Sequence, residues 1–219
     1  MVYDYRYMAV AERHRQMLAD GPNFRRAGPG RPRWPRPGRR SARRSAGRDR
    51  PAVLRDGSEV LIGPVGPADV PVLADGFARL SARSRQLRWL GPKKQLTPAE
   101  LRYLTEIDHH DHEALGAVDR ASGRGVGVAR YVRTFEDAQA AEIAVTVVDE
   151  WQRRGLGTEL LAQLAQRARE EGIRRFTALV GADNVAMTAL VRTAGADLVR
   201  RESATLVYEI PLIPREGPC

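Results

Sequence analysis

The sequence predicts one α/β domain, built on a mixed, mostly antiparallel sheet and preceded by a basic tail. Strand and helix patterns alternate from residue 59 onward, and a long amphipathic helix separates one group of strands from the next. The length of 219 residues suits one domain of common size with an appendage. We expect about six or seven strands and about four helices over residues 51–219, with a disordered tail over residues 1–50.

The positive charge of the chain is concentrated in this tail. Residues 1–50 contain 14 Arg and 4 Asp or Glu, a net charge of +10, so the remaining residues carry −1 of the total of +9. Residues 21–50 are rich in Arg, Pro, Gly and Ser and have too few apolar side chains to offset the entropy of ordering. We predict that they are disordered, whereas the irregular apolar spacing of residues 1–19 allows a short helix.

A basic tail of this kind binds nucleic acid weakly and without sequence preference through counterion release. Several interpretations of the tail remain open. It is a solvated segment without a role of its own, a segment that binds nucleic acid or a membrane surface, a protein-docking arm, or the result of a wrongly assigned translation start. We expect no specific nucleic-acid site, because the rest of the chain is nearly neutral.

The sequence contains no membrane-spanning or secretory segment. No stretch approaches the roughly 18–20 uncharged apolar residues of a membrane span, and the first 50 residues lack the apolar core of a signal peptide. The single cysteine, Cys219, excludes a disulfide within the chain. We therefore expect a cytoplasmic protein.

An opening strand over residues 60–65 is followed by two helices and a group of three strands. The first helix, residues 69–80, has one apolar face made of Val70, Leu73, Phe77 and Leu80. The second begins after Thr97, a good N-cap residue, with Pro98 at its first position. Turn-forming residues 119–124 predict an antiparallel hairpin between the first two of the three strands. These strands are expected at residues 115–118, 125–133 and 141–148.

The clearest helix covers residues 155–171 and ends at Gly172. Its apolar stripe consists of Leu156, Leu160, Leu161, Leu164 and Ala168. A buried strand at residues 174–180 follows, and then a helix at residues 184–194 that Gly195 ends. Two further strands, residues 198–201 and 204–210, complete the predicted sheet.

An anion site is predicted where the strand ending at residue 148 leads through a turn into the long helix. The first turn of a helix has unpaired N–H groups, and the helix dipole adds about half a positive charge there. Gly155 and Gly157 let a diphosphate approach the backbone, while Arg153 and Arg154 add positive charge. The pattern therefore predicts a site for a phosphate-bearing ligand.

Two nucleotide-binding motifs with a similar turn are excluded. A Rossmann fingerprint requires a third glycine where this chain has Leu160, and the nucleotide P-loop requires a lysine that this region lacks. The segment Gln152-Arg153-Arg154-Gly155-Leu156-Gly157 instead resembles the Q/R-x-x-G-x-G/A signature of the GCN5-related N-acetyltransferase (GNAT) family. Residues 184–196 resemble the family's N-x-x-A element after the next strand. The resemblance covers residues 59–212 and implies the GNAT fold, with acetyl-CoA as cosubstrate.

The resemblance also implies how this donor is held. Main-chain groups around Val145 and Val147 would pair with the pantetheine arm, in a cleft between two splayed strands. Asn184 would meet the pantetheine from the following helix, although a plain helix N-cap explains this residue equally well. The pyrophosphate would be held by the N–H groups of Arg153, Arg154, Gly155, Gly157 and Thr158. We call residues 152–158 the donor turn.

Glu142 is the candidate general base. Acyl transfer needs a neutral amine, whereas a lysine with a pKa near 10.4 is neutral in only about one molecule in 2,500 at pH 7. Glu142 is the one ionisable residue in the apolar strand 141–147, where burial would raise the pKa of its carboxyl. Alternatively, it lies at the solvent end of the strand in a salt bridge. Many relatives carry a tyrosine as general acid where this chain has Val191, so the acid is left unassigned.

The cluster Asp108-His109-His110-Asp111-His112 is the other candidate for chemistry. Adjacent histidines alternate sides on a strand, and neither a cysteine nor an H-E-x-x-H spacing accompanies them, so we predict no metal site. The cluster is either a structural polar loop or part of the acceptor cleft.

The resemblance extends to segments on the acceptor side of the family's fold, which indicate the kind of acceptor. Residues 79–113 and the strand with Glu142 resemble the bacterial, actinobacterial-type protein-lysine acetyltransferases of the family. The resemblance implies transfer of an acetyl group from acetyl-CoA to a primary amine, with a protein lysine as the leading acceptor. The alternatives are a small-molecule amine N-acetyltransferase, a non-catalytic acyl-CoA sensor, and a nucleic-acid-associated protein dominated by its tail. The oligomeric state is not predicted.

Overall fold

The computed structural model describes residues 49–213, which form one sheet covered by helices on both faces. The elements along the chain are β1 (Arg50–Val53), β2 (Glu59–Pro64), α1 (Val70–Ala78), α2 (Ala82–Trp89), α3 (Pro98–Thr105), β3 (His112–Asp119), β4 (Gly125–Arg133), β5 (Ala140–Val147), α4 (Leu156–Glu170), β6 (Arg175–Gly181), α5 (Val185–Thr193), β7 (Asp197–Glu202) and β8 (Thr205–Pro211). Short 3-10 turns precede α1 and the donor turn.

The sheet has eight strands in the order β1-β2-β3-β4-β5-β6-β8-β7. Every neighbouring pair is antiparallel except β5 and β6, which run parallel because α4 connects them. The predicted hairpin between β3 and β4 is confirmed, and a register shift lies between Ala117 and Val118. The predicted mixed, mostly antiparallel fold is therefore confirmed.

The helices divide between the two faces of the sheet. Helix α1 packs against β4, α2 against β5 and α3 against α1, and we call this side the α1 face. Helix α4 packs against β3, β4 and β5 on the opposite side, the α4 face. Its buried residues are those of the predicted apolar stripe, Leu156, Leu160, Leu161, Leu164 and Ala168.

Local signals place the helix ends as predicted. Thr97 Oγ1 accepts a hydrogen bond from Glu100 N, and the Glu100 carboxylate accepts one from Thr97 N, so α3 begins with a capping box. Gly172 and Gly195 follow α4 and α5 with φ of 78° and 82°, a conformation that glycine adopts without strain.

Two elements were not predicted. Helix α2 has only two large apolar residues, and its start depends on a side-chain cap from Ser81 and on contacts with Asp149, 68 residues further along the chain. Strand β1 begins at Arg50, so the end of the predicted tail belongs to the sheet.

The predicted disorder of residues 1–48 and the helix at residues 1–19 lie outside the described residues. Within residues 49–213, no helix is long and apolar enough to span a bilayer.

Candidate active site

A gap opens in the middle of the sheet between β5 and β6. The two strands pair only over three residues, and the last pair is Glu142 with Thr177. Strand β5 continues to residue 147 along β4, while β6 continues to residue 181 along β8. The main-chain groups of residues 143–147 that point toward β6 therefore have no strand partner, which suits pairing with an extended ligand. Val145 and Val147, the predicted pantetheine contacts, line this gap.

The donor turn lies at the wide end of the gap, where β5 leads into α4. Arg153 and Gly155 have φ of 63° and 92°, so the chain makes a sharp turn before the helix begins at Leu156. Among the described residues, the N–H groups of residues 153–158 have no hydrogen-bond acceptor. A row of unpaired N–H groups at a helix N-terminus is a site for a phosphate or diphosphate.

Side chains at the base of the turn fix its position. Gln152 Nε2 donates to Val147 O at 3.1 Å. The guanidinium of Arg154 donates to Glu150 O at 2.7 Å and pairs with Asp56 at 3.1 Å. The prediction that both arginines bring positive charge to the anion stays a prediction, and the Arg154 guanidinium has a carboxylate partner in Asp56.

Arg55, a cation that the sequence did not indicate, lies beside the donor turn. Arg55, between β1 and β2, donates its backbone N–H to Arg154 O at 3.1 Å. Its Cγ and Nε lie 3.2 and 3.4 Å from the position that a Cβ at Gly155 would occupy. No ion pair involves Arg55 within residues 49–213. No sequence signal points to this residue, because its relation to the donor turn depends on how the β1–β2 turn packs.

Asn184 and Gly157 flank the gap on the α4 face. The side chain of Asn184 accepts a hydrogen bond from Met187 N at 3.0 Å, so it is an N-cap of α5. A Cβ at Gly157 would lie 3.5 Å from Leu190 of α5 and 3.9 Å from Val145 of β5. Helix α5 therefore packs against the start of α4. Val191, in the position of the family's tyrosine, is fully buried.

Glu142 lies on the α1 face at the narrow end of the gap. It is opposite Val132 in the register of β4 and β5. Its Oε2 atom is sealed from solvent and has no hydrogen-bond partner among the described residues. Burial raises the pKa of Glu142 to about 7, against an opposing effect of the nearby Arg88 charge. No salt bridge holds Glu142 within residues 49–213, so the description as an exposed, ion-paired residue does not apply.

Two arginines lie on the same face as Glu142. Arg130 of β4 is 2% exposed and donates to His112 Nε2 at 3.1 Å and to Leu104 O at 3.4 Å. Burial and the charge of Arg88 lower the pKa of Arg130 to about 9. Burial also lowers the pKa of Arg88, which the Glu142 carboxylate partly offsets. Tyr103 belongs to the same group, since its ring lies 5.1 Å from that of His112.

A cavity of about 150 Å³ opens beside these two arginines on the α1 face. Most of its wall consists of apolar side chains and glycines of α1, β2, β3 and β4. Its charged lining residues are Arg88 and Arg130 together with Asp49 and Asp69. The cavity is separate from the donor turn, which lies at the entrance to α4.

The histidine cluster is mainly structural. His109 Nδ1 lies 2.7 Å from the buried carboxylate of Glu113, which raises the pKa of His109, and His110 Nδ1 lies 2.5 Å from Glu171. Asp108 Oδ1 accepts three backbone N–H groups of the cluster. No group of side chains within residues 49–213 could hold a metal ion. Of the three histidines, His112 is the one that reaches the group around Glu142.

An open β5–β6 gap with an anion-binding turn at one end and a buried carboxyl at the other defines a site for an acyl-CoA-dependent transferase. Comparison with known proteins agrees. Residues 82–196 match the model of the acetyltransferase (GNAT) family. Acetyltransferase Pat of Mycolicibacterium smegmatis is 34% identical over 164 residues, which are 75% of this chain and 49% of that protein. Acetyltransferase PA5475 of Pseudomonas aeruginosa is 36% identical over 144 residues, 65% of this chain and 77% of that protein.

Solved structures give the same result. The GNAT domain of S. lividans PAT superposes with a TM-score of 0.71 at 30% identity, covering 74% of this chain and 96% of that one. The chain therefore belongs to the acetyltransferase (GNAT) family, which contains acyl-CoA-dependent N-acyltransferases that use acetyl-CoA. It spans about half the length of Acetyltransferase Pat.

Proposed function

We propose that this chain transfers the acetyl group of acetyl-CoA to the side-chain amine of a protein lysine, with Glu142 as general base. The observation that carries the proposal is the buried Oε2 of Glu142, which has no hydrogen-bond partner within residues 49–213 and lies where β5 and β6 separate. A protein lysine is favoured because residues 79–113 and the strand with Glu142 resemble bacterial protein-lysine acetyltransferases.

The donor is held along the gap and at the donor turn. The N–H groups of Arg153, Arg154, Gly155, Gly157 and Thr158 bind the pyrophosphate, and β5 around Val145 and Val147 pairs with the pantetheine arm. Gln152 supports the turn through its bond to Val147 O. This arrangement directs the thioester toward the narrow end of the gap, close to Glu142.

The reaction is a direct attack. Glu142 Oε2 takes a proton from the ammonium group of the acceptor, directly or through a water, and the neutral amine attacks the thioester carbonyl. A C–N bond forms, the C–S bond breaks, and the CoA sulfur leaves as a thiolate, while the nitrogen of the new amide gives its second proton to the thiolate or to solvent water. A thiol with a pKa near 8.5 is a tolerable leaving group at neutral pH, so the reaction does not require a tyrosine acid at position 191. A carboxyl with a pKa of about 7 is well matched to this proton transfer.

The Glu142→Gln variant tests the proposal. It keeps the shape of the side chain but removes the proton acceptor, so kcat/KM should fall by roughly 10²- to 10⁴-fold at neutral pH. Acetyl-CoA affinity should change little, because the donor contacts are elsewhere. The ascending limb of the pH profile, centred near pH 7 in the native protein, should flatten. The measurement is acetylation of lysine peptides and metabolite amines with labelled acetyl-CoA, together with calorimetry of donor binding.

Glu106→Gln, an exposed substitution at the end of α3, is the matched control and should keep native kinetics. Near-native turnover of Glu142→Gln across the pH range would assign Glu142 to structure and leave His112 as the next candidate base. Donor binding without acetylation of any amine would identify an acyl-CoA-binding sensor. Acetylation of metabolite amines alone would replace the protein lysine as acceptor.

A further inference from the structure

The group around Glu142 contains more positive than negative charge. Arg88 and Arg130 approach each other closely enough that the charge of Arg88 lowers the pKa of Arg130. Within residues 49–213, no Asp or Glu forms a salt bridge with either of them. The nearby carboxyl is Glu142, whose raised pKa of about 7 leaves it only partly ionised at neutral pH. The positive charges of the two guanidinium groups are therefore balanced by less than one full negative charge from Glu142.

A buried cation without a carboxylate is costly. Removing a guanidinium from water carries a penalty of several kcal/mol, which proteins normally offset with an ion pair and hydrogen bonds. Arg130 is only 2% exposed, and its guanidinium donates to His112 Nε2 and Leu104 O. Within residues 49–213, Arg130 therefore has hydrogen bonds but no ion pair.

The cavity gives an anion room to reach both arginines. It has a volume of about 150 Å³, and its charged lining residues are Arg88, Arg130, Asp49 and Asp69. The two carboxylates lie at the β2 end of the cavity, where Asp69 accepts a hydrogen bond from Gly66 N and Asp49 lies over Gly63. Several water molecules or one carboxylate side chain would fit, since a water occupies about 30 Å³ in the liquid. Arg88 is the more exposed of the two arginines.

The strand register links this space to the proposed base. Arg130 is opposite Ala144 and Glu142 is opposite Val132, so the two side chains are diagonal neighbours on the α1 face. Diagonal positions on adjacent strands are about 7–8 Å apart. The small side chain of Ala144 leaves space between them. An acceptor whose amine reaches Glu142 would therefore bring its neighbouring groups to the two arginines.

We propose that Arg88 and Arg130 form an anion subsite of the acceptor cleft, which binds the carboxylate of an Asp or Glu close to the target lysine. The proposal rests on the proposed function for the identity of the acceptor. The planar guanidinium groups match a carboxylate with paired hydrogen bonds. The phosphates of the donor are a different anion and bind at the donor turn, at the entrance to α4.

Matched peptides test the subsite. Each peptide carries a central lysine, with Glu or Gln at one of the three positions on either side. The native protein should acetylate at least one Glu peptide with a kcat/KM at least tenfold above that of its Gln partner, mainly through a lower KM. Arg88→Gln should reduce this ratio to about one. Arg83→Gln, which changes an exposed arginine on the same helix that pairs with Asp183, should leave the ratio unchanged.

Charge reversal provides a second test, because Arg130 is buried and its substitution could prevent folding. Arg88→Glu should invert the preference, so that a peptide with Lys at the sensitive position is favoured over the Glu peptide. Equal KM values for Glu and Gln peptides at every position in the native protein would overturn the subsite. So would a Glu preference that persists in both Arg88 variants.

Binding measurements separate this inference from the proposed function. Calorimetry with the same peptides in the presence of CoA needs no turnover. A Glu preference in binding that Arg88→Gln removes, without acetylation of any peptide, would retain the subsite and overturn the catalytic proposal. Acetylation or binding without any Glu preference would overturn the subsite and leave the catalytic proposal standing. If no peptide binds, the subsite is overturned as well.

Discussion

At the scale of single residues, the burial of Glu142 affects folding as well as proton transfer. A carboxyl with a raised pKa favours its protonated form in the folded state, so the folded protein binds more protons than the unfolded chain. The native protein therefore loses stability as the pH rises from about 4.5 to about 7, where the charged form becomes populated. Arg88 reduces this loss but does not abolish it.

Glu142→Gln should remove this pH-dependent loss, because the amide stays neutral. The melting temperature of the variant minus that of the native protein should grow between pH 5 and pH 8, by about 3 °C or more. Thermal unfolding followed by circular dichroism at several pH values measures the difference. The exposed Glu106→Gln variant should show a constant difference. A constant difference for Glu142→Gln as well would mean that the carboxyl titrates normally in the folded protein.

Gly157 offers the sharpest test of the donor turn. A Cβ at this position meets Leu190 at ordinary contact distance and the backbone is helical, so the fold should accept Gly157→Val. The added side chain blocks the approach of the donor, and acetyl-CoA affinity should fall at least tenfold, about 1.4 kcal/mol. Gly155 is a less suitable position for this test, because any other residue would be strained at its φ of 92°.

Calorimetry and thermal unfolding of Gly157→Val decide this prediction together. Gly66→Val adds the same side chain in open space before α1 and should change neither the acetyl-CoA affinity nor the melting temperature. Unchanged acetyl-CoA affinity in Gly157→Val would remove the assignment of the turn. A lowered melting temperature would show that the loss of binding follows from damage to the fold.

At the scale of elements, helix α2 connects the segment before the donor turn to the proposed acceptor side of the site. The N–H and hydroxyl of Ser81 and the hydroxyl of Ser84 donate to the carboxylate of Asp149, just before the donor turn. Burial alone would raise the pKa of Asp149, but these hydrogen bonds lower it below its usual value. The other end of the same helix carries Arg88. The contacts of Asp149 therefore hold the first turn of the helix that carries Arg88 near its end.

The β1–β2 turn is the second element that contacts the donor turn, and we expect it to contribute to donor binding. Arg154 pairs with Asp56 of this turn, and the side chain of Arg55 lies next to Gly155. Arg55→Gln should weaken acetyl-CoA binding by about three- to tenfold, or about 0.6–1.4 kcal/mol. The loss should shrink as the salt concentration rises, because exposed charges are screened.

Calorimetry at low and high salt measures the contribution of Arg55. Arg120→Gln removes an exposed arginine that pairs with Glu59 at the edge of β2, and it should not affect donor binding. Equal affinities of the native protein and Arg55→Gln at low salt would exclude a role for this turn in holding the donor phosphates.

At the scale of the whole molecule, charge separates the tail from the domain. Residues 1–50 carry a net charge of +10 and the remainder −1. Because β1 begins at Arg50 and Asp49 lies over Gly63, a truncated chain should start at residue 49. It should keep the native melting temperature and acetyl-CoA affinity while losing retention on nucleic acid at low salt.

The truncation is checked by thermal unfolding, calorimetry and a salt-gradient elution from immobilised DNA. Loss of acetyl-CoA binding would show that the division between tail and domain is misplaced. Retention on DNA that persists without residues 1–48 would assign the interaction to the folded domain. The cytoplasmic location and the role of the tail stay predictions.

The sequence determined the features that depend on neighbours along the chain. The apolar stripe of α4, the capping box at Thr97 and the glycine stops are local, since helical spacing and backbone preference are written within a few residues. The donor turn is also local, because its unpaired N–H groups follow from a strand, a glycine turn and a helix in succession. The burial of Glu142 could be predicted, because it is the one ionisable residue among the apolar residues of its strand.

Only the tertiary structure decided which distant residues meet. Strand order, register and helix packing bring Arg55 next to Gly155 and bring Arg88 and Arg130 to one cavity on the α1 face. None of these contacts follows from a short-range sequence pattern. Helix α2 escaped prediction because its stabilising contacts are polar and come from Asp149 rather than from an apolar stripe. The cost of burying Glu142 and Arg130 depends on the groups that surround them in three dimensions, so their altered pKa values exist only in the folded chain.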